Sequence, residues 1–286
     1  MPETLHEATL FQGGPVWGGV HVLTSGVAPH AHDFLEIAVI GRGRGVHQTS
    51  QGSAAVRHGQ VLILRPGPWH AFADCHDLTV ANCCISPRGL RAELSALQQI
   101  PALRDLLWTT PIAGPHGVAT TEVTPDAADE AIAQIAALSA QPGGPGRLLG
   151  HLVTILGTLS DGRPTAAATP LLHPAVTATI TRYESDLAAP WRLDDLAAAA
   201  NLDPAYLTRL FRRDTGLSPL TYLARLRAER AALLLTESSL PASRVGAAVG
   251  WPDPTYFARR FRTLVGLTPT EYRDRTRNQS PPAPQP

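Results

Sequence analysis

The chain has 286 residues, 44% of them hydrophobic, and its 24 basic and 24 acidic residues give zero net charge. This length is sufficient for two domains of ordinary size. No apolar run reaches membrane length and no charged leader precedes an apolar segment, so we expect neither membrane insertion nor secretion, but a cytoplasmic protein.

The basic charge is concentrated in the C-terminal part. Residues 1–170 contain 9 Arg and 13 acidic residues, whereas residues 171–286 contain 15 Arg and 11 acidic residues. A basic segment is typical of a domain that binds nucleic acid. All 24 basic residues are Arg, which we attribute to coding bias because the preference extends over both parts of the chain.

The N-terminal part predicts an all-β module. Short apolar stretches at Val16–Leu23 and at residues 34–40, 61–64 and 78–85 are separated by turns such as GRGRG and RPGP. Strands of this length and spacing predict a small barrel or sandwich. The cysteines, Cys75, Cys83 and Cys84, favour reduced core thiols, because adjacent cysteines rarely form a disulfide and no metal-type spacing is present. A redox sensor is the alternative.

One segment of this module places polar residues at alternate positions. His30, His32, Phe34, Glu36 and Ala38 have the same parity and would point to one face of an extended strand. A second segment, G-x6-P-G-x2-H, runs from Gly59 through Trp69 to His70. Together, the two segments resemble the cupin barrel over residues 15–87.

This resemblance implies two alternative sites. In a metal-dependent cupin enzyme the ligands would be His30, His32, Glu36 and His70, a set that suits Fe, Mn, Ni or Zn. Cupin-like regulators keep the pattern without a metal and hold a small polar effector inside the barrel. We favour the second alternative, with no metal, no cofactor and no catalytic residue. The predicted effector-binding residues are His30, His32, Phe34, Glu36, Trp69 and His70. A purely structural role of the histidines and an ordinary core or lid role of Trp69 are the simpler alternatives.

Two helices and a linker are predicted after the β-module. Apolar residues recur at helical spacing from Ile132 to Leu138 and from Leu148 to Leu159, on either side of a Pro- and Gly-rich break at residues 141–146. The simplest interpretation is that both helices cover the core of the N-terminal domain. We assign residues 1–160 to that domain, 161–170 to a linker, 171–277 to a second domain, and 278–286 to a disordered tail.

The strongest signal is a near-duplication at a spacing of 50 residues. The segment DPAYLTRLFRRDTGLSPLTY at residues 203–222 returns as DPTYFARRFRTLVGLTPTEY at residues 253–272, which indicates one helical unit built twice. In both copies Asp-Pro predicts an N-cap and first helical residue, and Gly216 and Gly266 predict a left-handed end. A short apolar helix and a turn precede each copy, at residues 193–199 and 241–249. This is helix-turn-helix spacing, in which the second helix enters the major groove.

Each predicted second helix has two faces. Leu207 with Phe211, and Phe257 with Phe261, lie four residues apart and would face a core. The opposite face carries small residues and arginines: Ala205, Thr208, Arg209 and Arg212 in the first copy, and Thr255, Ala258, Arg259 and Arg262 in the second.

Residues 171–277 resemble the DNA-binding domain of the AraC/XylS family of transcription regulators. The resemblance is specific because it spans both copies and the helix over residues 220–235 that joins them. The residues that carry it include Leu196, Leu207, Arg209, Phe211, Gly216, Pro219, Tyr222, Val245, Gly250, Asp253, Phe257, Phe261, Gly266, Pro269 and Tyr272. The segment HDFLEIAVIGRGRGVH at residues 32–47 is most similar to the rhamnose-regulator-like branch of the family.

The family resemblance implies an α+β protein with two domains: a cupin-like β-barrel with trailing helices, followed by an all-α domain with two helix-turn-helix units. The implied function is a sequence-specific DNA-binding regulator, expected to be an activator that responds to a small polar effector such as a monosaccharide. Expected partners are double-stranded DNA, the effector, a second copy of the chain and RNA polymerase. The alternatives are a metal-dependent cupin enzyme or metal sensor fused to a DNA-binding domain, and a constitutive regulator whose β-module only dimerises.

Specific roles follow for the exposed faces of the two recognition helices. We predict base contacts from Arg209 and Arg259, assisted by Ala205 and Thr208 in the first helix and by Thr255 and Ala258 in the second. Phosphate contacts are predicted for Arg212, Arg213, Arg260 and Arg262. For each arginine the alternative is an ordinary solvated surface charge. One chain should address two major-groove segments about one turn, roughly 10 bp, apart.

Overall fold

The computed structural model describes residues 3–5, 7–11, 14–49, 52–91, 94, 96–97, 100–109, 111, 118–140, 143–163 and 172–277. The chain divides into two compact units, Met1–Leu171 and Leu172–Pro286. Most of the predicted linker and all of the predicted tail lie outside the described residues. Among the described helices, none is both long enough and apolar enough to cross a membrane.

The N-terminal unit is built on two β-sheets. Its strands are β1 (Glu3–Leu5), β2 (Val16–Leu23), β3 (Val27–His32), β4 (Leu35–Ile40), β5 (Arg44–Thr49), β6 (Gly52–Val56), β7 (Gln60–Leu64), β8 (His70–His76), β9 (Leu78–Ile85) and β10 (Val118–Glu122). The first sheet has the order β1-β3-β8-β5-β6 and the second the order β10-β7-β4-β9-β2. Only the β1–β3 pair among these is parallel. The described pairings leave two separate sheets, so the architecture is cupin-like but the barrel is not closed.

The helices of this unit are α1 (Glu7–Leu10), α2 (Pro87–Arg91), α3 (Pro101–Arg104), α4 (Pro125–Ala140) and α5 (Pro145–Asp161), and a π-helical turn over Asp105–Thr109 continues α3. The buried residues of α4 and α5 recur at helical spacing and include Ile135, Leu138, Leu152 and Leu156. They pack against the second sheet in one apolar core. The two predicted helices are therefore confirmed, and they cover the core of their own domain.

Strand β4, in the middle of the second sheet, is buried on both faces. Ile37 and Val39 of β4 belong to the core formed with α4 and α5, whereas Ala38 and Ile40 share a second core with Phe72 of the first sheet. This alternation follows from the two-residue period of a strand. The even-numbered side chains of β4 consequently point toward the first sheet, and Glu36 shares their parity.

Residues 30–38 do not form the single extended strand on which their shared parity was read. β3 ends at His32 in the first sheet, and β4 begins at Leu35 in the second sheet, after a bend at residues 33–34. The bend moves the chain from the first sheet to the second. The histidines of the first sheet and Glu36 of the second come close together because the two sheets face each other.

The C-terminal unit is all-α in its described part. It contains α6 (Pro174–Ser185), α7 (Leu193–Ala198), α8 (Pro204–Thr215), α9 (Pro219–Glu237), α10 (Ala242–Ala248), α11 (Pro254–Val265) and α12 (Pro269–Arg277). α7 with α8, and α10 with α11, form the two predicted helix-turn-helix units. α9 connects them.

The internal duplication is visible in the packing. Phe211 of α8 meets the ring edge of Tyr222 with 5.4 Å between centroids, and Phe261 of α11 meets Tyr272 in the same way at 5.6 Å. Edge-to-face contacts of this kind stabilise aromatic pairs beyond their buried area. The same pair of residues thus anchors each recognition helix to the helix that follows it.

Candidate functional site: nucleic-acid interface and histidine cluster

Both recognition helices begin and end as the sequence predicts. The Asp203 carboxylate accepts hydrogen bonds from the backbone N–H of Ala205 and Tyr206, and the Asp253 carboxylate accepts one from Tyr256. Such caps satisfy N–H groups that have no partner inside the helix. At the other end, Gly216 and Gly266 adopt left-handed backbone with φ of 72° and 90°, a conformation that glycine adopts without steric cost.

The apolar face of each recognition helix is buried and the arginine face is not. In α8, Leu207, Leu210 and Phe211 are buried, whereas Ala205, Arg209, Arg212 and Arg213 are exposed and Thr208 is half-buried. In α11, Phe257 and Phe261 are buried, Thr255, Arg259 and Arg262 are exposed, and Ala258 and Arg260 are half-buried. The structure therefore presents the guanidinium groups of Arg209 and Arg259 to solvent.

Three of the five predicted contact residues of α11, Ala258, Arg259 and Arg262, lie around one open depression. Its volume is about 560 Å³, and it is lined by Ala258, Arg259, Arg262, Thr263 and Thr268. In α8, the Thr208 hydroxyl donates to the Pro204 carbonyl at 2.9 Å. Toward a base, Thr208 can therefore accept a hydrogen bond at its hydroxyl oxygen or make an apolar contact through its methyl group. Arg213 donates from Nε to Asp214 at 2.6 Å, and this ion pair lowers the positive charge available to a phosphate.

Two tyrosines that the sequence-based reasoning missed lie beside the base-contact candidates. The Arg209 guanidinium lies over the Tyr206 ring at 5.4 Å, and that of Arg259 lies over the Tyr256 ring at 5.7 Å. Both rings are exposed, at 40% and 43%. Cation–π contact restricts where each guanidinium can point. The signal was present in the sequence, because a tyrosine precedes the arginine by three residues in both copies and residues three apart on a helix are neighbours.

A buried arginine ties the two helix-turn-helix units together. Arg227 of α9 donates from Nε to Leu187 O at 2.9 Å, from Nη2 to Ala189 O at 2.6 Å and from Nη1 to Gly250 O at 3.2 Å. The first two carbonyls precede α7, and the third lies in the turn between α10 and α11. Burial lowers the pKa of Arg227, with opposing contributions from nearby Tyr183, Tyr256 and Asp186. Its guanidinium therefore connects the segment that leads into the first helix-turn-helix unit to the turn of the second unit.

The N-terminal unit contains a cluster of histidines between its sheets. His30 and His32 come from β3, His70 from β8, His47 from β5 and Glu36 from β4. His32, Glu36, His47 and His70 are buried, and His30 is half-buried. The structure thus brings four of the six predicted effector-binding residues together and adds His47, whose position after the GRGRG turn was its only sequence signal.

The cluster is tightly spaced. The ring centroids of His30 and His70 are 4.2 Å apart, and His47 Nε2 lies 3.3 Å from His70 Nδ1. Glu36 Oε2 lies 3.6 Å from His32 Nε2 and 4.0 Å from His70 Nε2. One ligand atom from each of His30, Glu36 and His70 lies within 4.8 Å of the others. Such a group of donors could hold a metal ion or a polar ligand.

The two remaining predicted residues are Phe34 and Trp69. Phe34 is buried, and its ring stacks on His32 with 4.7 Å between centroids, so it forms an apolar wall of the cluster. Trp69 is half-buried and is the last residue of the loop before β8, next to His70 in the sequence.

Burial disfavours the charged forms of Glu36 and of the three buried histidines of the cluster. Desolvation lowers the pKa of His32 to about 4 and raises that of Glu36 to about 7. It lowers the pKa of His47 to about 4, with a further contribution from His30, and that of His70 well below its usual range. Each shift has the direction expected when a buried site disfavours the charged form.

The three cysteines lie in the interior of the N-terminal unit. All three are free and buried. Burial raises the pKa of the Cys83 thiol to about 12 and that of Cys84 well above its usual range. A thiol of this kind is inert because the thiolate is the reactive form, which supports the prediction of core thiols.

Comparisons with known proteins agree with the geometry of both units. A family model described as an AraC-like ligand binding domain matches residues 20–156, and one described as a helix-turn-helix domain matches residues 196–275. The chain belongs to the AraC family of transcription regulators. This AraC-family chain is therefore a DNA-binding regulator with a domain for an effector, and the prediction that it is not an enzyme is confirmed by the same matches.

Relatives of this AraC-family regulator include named activators. The HTH-type transcriptional activator RhaR of Escherichia coli O139:H28 is 28% identical over 232 residues, which cover 78% of this chain and 79% of RhaR. RhaR of Shigella flexneri has the same identity and coverage. Among solved structures, ToxT from Vibrio cholerae matches with a TM-score of 0.55 and 12% identity, over 91% of this chain and 98% of ToxT. At that identity the likeness to ToxT concerns the fold alone.

Proposed function

We propose that the two helix-turn-helix units contact successive major-groove segments of one operator, with Arg209 and Arg259 at base edges. The observation that carries this proposal is that both guanidinium groups are exposed on equivalent faces and stacked on equivalent tyrosines. Arginine recognises guanine through two parallel hydrogen bonds, so a restricted guanidinium favours specificity.

The connecting helix supports a spacing of about one DNA turn. α9 has 19 residues, so it is about 28 Å long, and half-sites addressed by paired recognition helices are about 34 Å apart. We assign phosphate contacts to the exposed Arg212 and Arg262, and secondary ones to the half-buried Arg260 and the ion-paired Arg213. Phosphate contacts fix the register on DNA without selecting a sequence.

A comparison of two arginines on one helix tests the assignment. We expect Arg209→Ala to weaken binding by about 1–3 kcal/mol at the preferred operator and to relax selection at one or two base positions. Arg212→Ala removes the same charge from the same helix and should weaken all sequences alike, with a smaller salt dependence. Binding selections on randomised operators, followed by gel-shift titrations at several salt concentrations, separate the two effects. Equal loss of selectivity in both variants would contradict the roles proposed here.

For the N-terminal unit we propose a small polar effector, such as a monosaccharide, bound beside the histidine cluster. Support comes from the concentration of polar side chains in an otherwise apolar interior, with Phe34 as an apolar wall. We further propose that the output is activation, as the name of RhaR states for that relative. Reporter transcription and operator affinity measured with a panel of monosaccharides test both proposals, and the absence of any response would remove the effector assignment.

The remaining proposals concern assembly. We propose a homodimer that uses the solvent-facing side of α5, because the buried leucines of that helix are already engaged in the core and Val153 is 45% exposed. We also propose contact with RNA polymerase, as an activator requires, and a cytoplasmic location, where the operator is accessible. Sedimentation analysis of the full chain with Val153→Glu tests the dimer face.

A further inference from the structure

We propose that Asp214 limits the affinity of this regulator for DNA by holding the Arg213 guanidinium in an ion pair that competes with DNA phosphate. This inference rests on the proposed function, because it takes the end of α8 to lie against the DNA backbone. Asp214 is a positioning residue in this proposal: it acts through Arg213 and does not itself contact DNA.

The Asp214 carboxylate is held in place by the segment that begins the C-terminal unit. Its side chain is only 3% exposed, and its Oδ2 accepts a hydrogen bond from the backbone N–H of His173 at 2.7 Å. His173 is the N-cap of α6, and α6 packs against α8. Because one oxygen is bound to the backbone at the start of another helix, the carboxylate cannot turn freely, and Oδ1 stays beside the last turn of α8.

Arg213 binds to this second oxygen. Its Nε donates to Asp214 Oδ1 at 2.6 Å, although consecutive residues of a helix do not face each other, so the guanidinium has to fold back toward its neighbour. Asp214 raises the pKa of Arg213, first through this hydrogen bond and then through its charge. A guanidinium binds carboxylate and phosphate with the same fork of N–H donors. The carboxylate therefore engages a donor and the charge that a phosphate would use.

The second copy of the unit shows that a recognition helix does not need this pair. Thr263 takes the position of Arg213 in that copy. Leu264 takes the position of Asp214 and packs against the apolar core of its unit. Both recognition helices nevertheless end at a left-handed glycine, so the pair is not required to end the helix. What the pair changes is the charge that α8 presents, because the Arg213 side chain is 60% exposed and within reach of a phosphate.

Asp214→Asn in the full chain tests the inference. The amide oxygen can still accept from the His173 N–H, but the variant has no charge with which to hold Arg213. One added phosphate contact steepens the slope of log K against log salt concentration by about 0.9, which corresponds to at most about 8-fold in affinity at about 0.1 M salt. We therefore expect Asp214→Asn to bind a duplex of unrelated sequence about 3- to 8-fold more tightly, with a steeper salt dependence. Because phosphate contacts select no sequence, affinity for the preferred operator should rise by the same factor.

A double-mutant cycle with Arg213→Ala separates this mechanism from a general gain of positive charge. If Asp214 acts through Arg213, Asp214→Asn should change the affinity by less than about twofold in the Arg213→Ala background. Arg213→Ala alone should cost less affinity than Arg212→Ala, because Arg213 is already engaged by Asp214. An equal gain from Asp214→Asn in both backgrounds, or no gain in the parent chain, would overturn the inference.

Folding and the proposed function are checked separately. Thermal melts show whether each variant is folded, and Asp214→Ser, whose hydroxyl oxygen can also accept a hydrogen bond, is a second charge-free variant with the same expected gain. If Arg209→Ala and Arg212→Ala weaken binding but the cycle shows no coupling, the inference fails and the proposed DNA-binding face stands. If neither of these arginine variants affects binding, the proposed face is wrong and the inference fails with it.

Discussion

Arg227→Met is the most informative test of how the DNA-binding unit is held together. The methionine keeps much of the apolar stem but removes the guanidinium that bonds Leu187 O, Ala189 O and Gly250 O. Two of those carbonyls lie just before the first helix-turn-helix unit, the third lies in the turn of the second unit, and Arg227 is only 8% exposed. The substitution should therefore destabilise the unit and also loosen the arrangement of its two halves.

The magnitude can be worked out from the contacts. A hydrogen bond to a charged group contributes about 1.5–3 kcal/mol, but the three contributions do not add fully. Ala189 O, for example, also accepts the Trp191 N–H at 2.8 Å, so it keeps a partner. The folded variant also no longer has to bury a charged guanidinium, and this gain offsets a further part of the lost hydrogen-bond energy. We expect a net loss of about 3–5 kcal/mol, a large fraction of the 5–15 kcal/mol typical of domain stability.

Arg230→Met provides a matched control. Arg230 is an exposed residue of the same helix, and its substitution removes the same charge. Its effect on stability should stay within about 0.5 kcal/mol. Calorimetric melts of the full chain should show the C-terminal transition lowered by at least about 10 °C in Arg227→Met, and hydrogen exchange should accelerate in peptides of α8 and α11. Similar melting temperatures and exchange for the two variants would refute the bridging role of Arg227.

Three other outcomes are expected. Tyr206→Leu should weaken operator binding by about 0.5–1 kcal/mol in gel-shift titrations, because it removes the ring beneath Arg209 without changing charge, and unchanged affinity would contradict a positioning role. Gly246→Ala should lower the free energy of unfolding by about 1–3 kcal/mol, because its Cβ would lie 2.8 Å from ring atoms of Phe257; Gly150→Ala, with open space around it, should not. A thiol reagent at neutral pH should leave the native cysteines unmodified until the chain is denatured, since burial raises the pKa of Cys83 to about 12; rapid labelling of the native protein would favour the redox sensor instead.

Local signals explain why the C-terminal unit was predictable. The caps at Asp203 and Asp253 and the glycines that end the recognition helices act through nearest neighbours in the chain, so their effect does not depend on the rest of the fold. The three- and four-residue spacing of the apolar residues likewise determines which helix face is buried. Because the unit was duplicated, each of these signals occurred twice.

The histidine cluster shows what local patterns cannot supply. His30 and Glu36 share parity, but the chain bends after His32 and crosses to another sheet, so their proximity depends on how the two sheets face each other. His47 joins the cluster from β5 through strand pairing with β8. Long-range pairing of this kind leaves no periodic trace around a single histidine.

By itself, the sequence determined the two-domain organisation, the strands and helices with strong periodicity, and the faces of the recognition helices, because these depend on side chains a few positions apart. Only the tertiary structure decided which carbonyls Arg227 connects and which imidazoles meet Glu36. These features join residues about 40 positions apart in the case of Arg227 and Leu187, and packing in three dimensions alone brings such residues into contact.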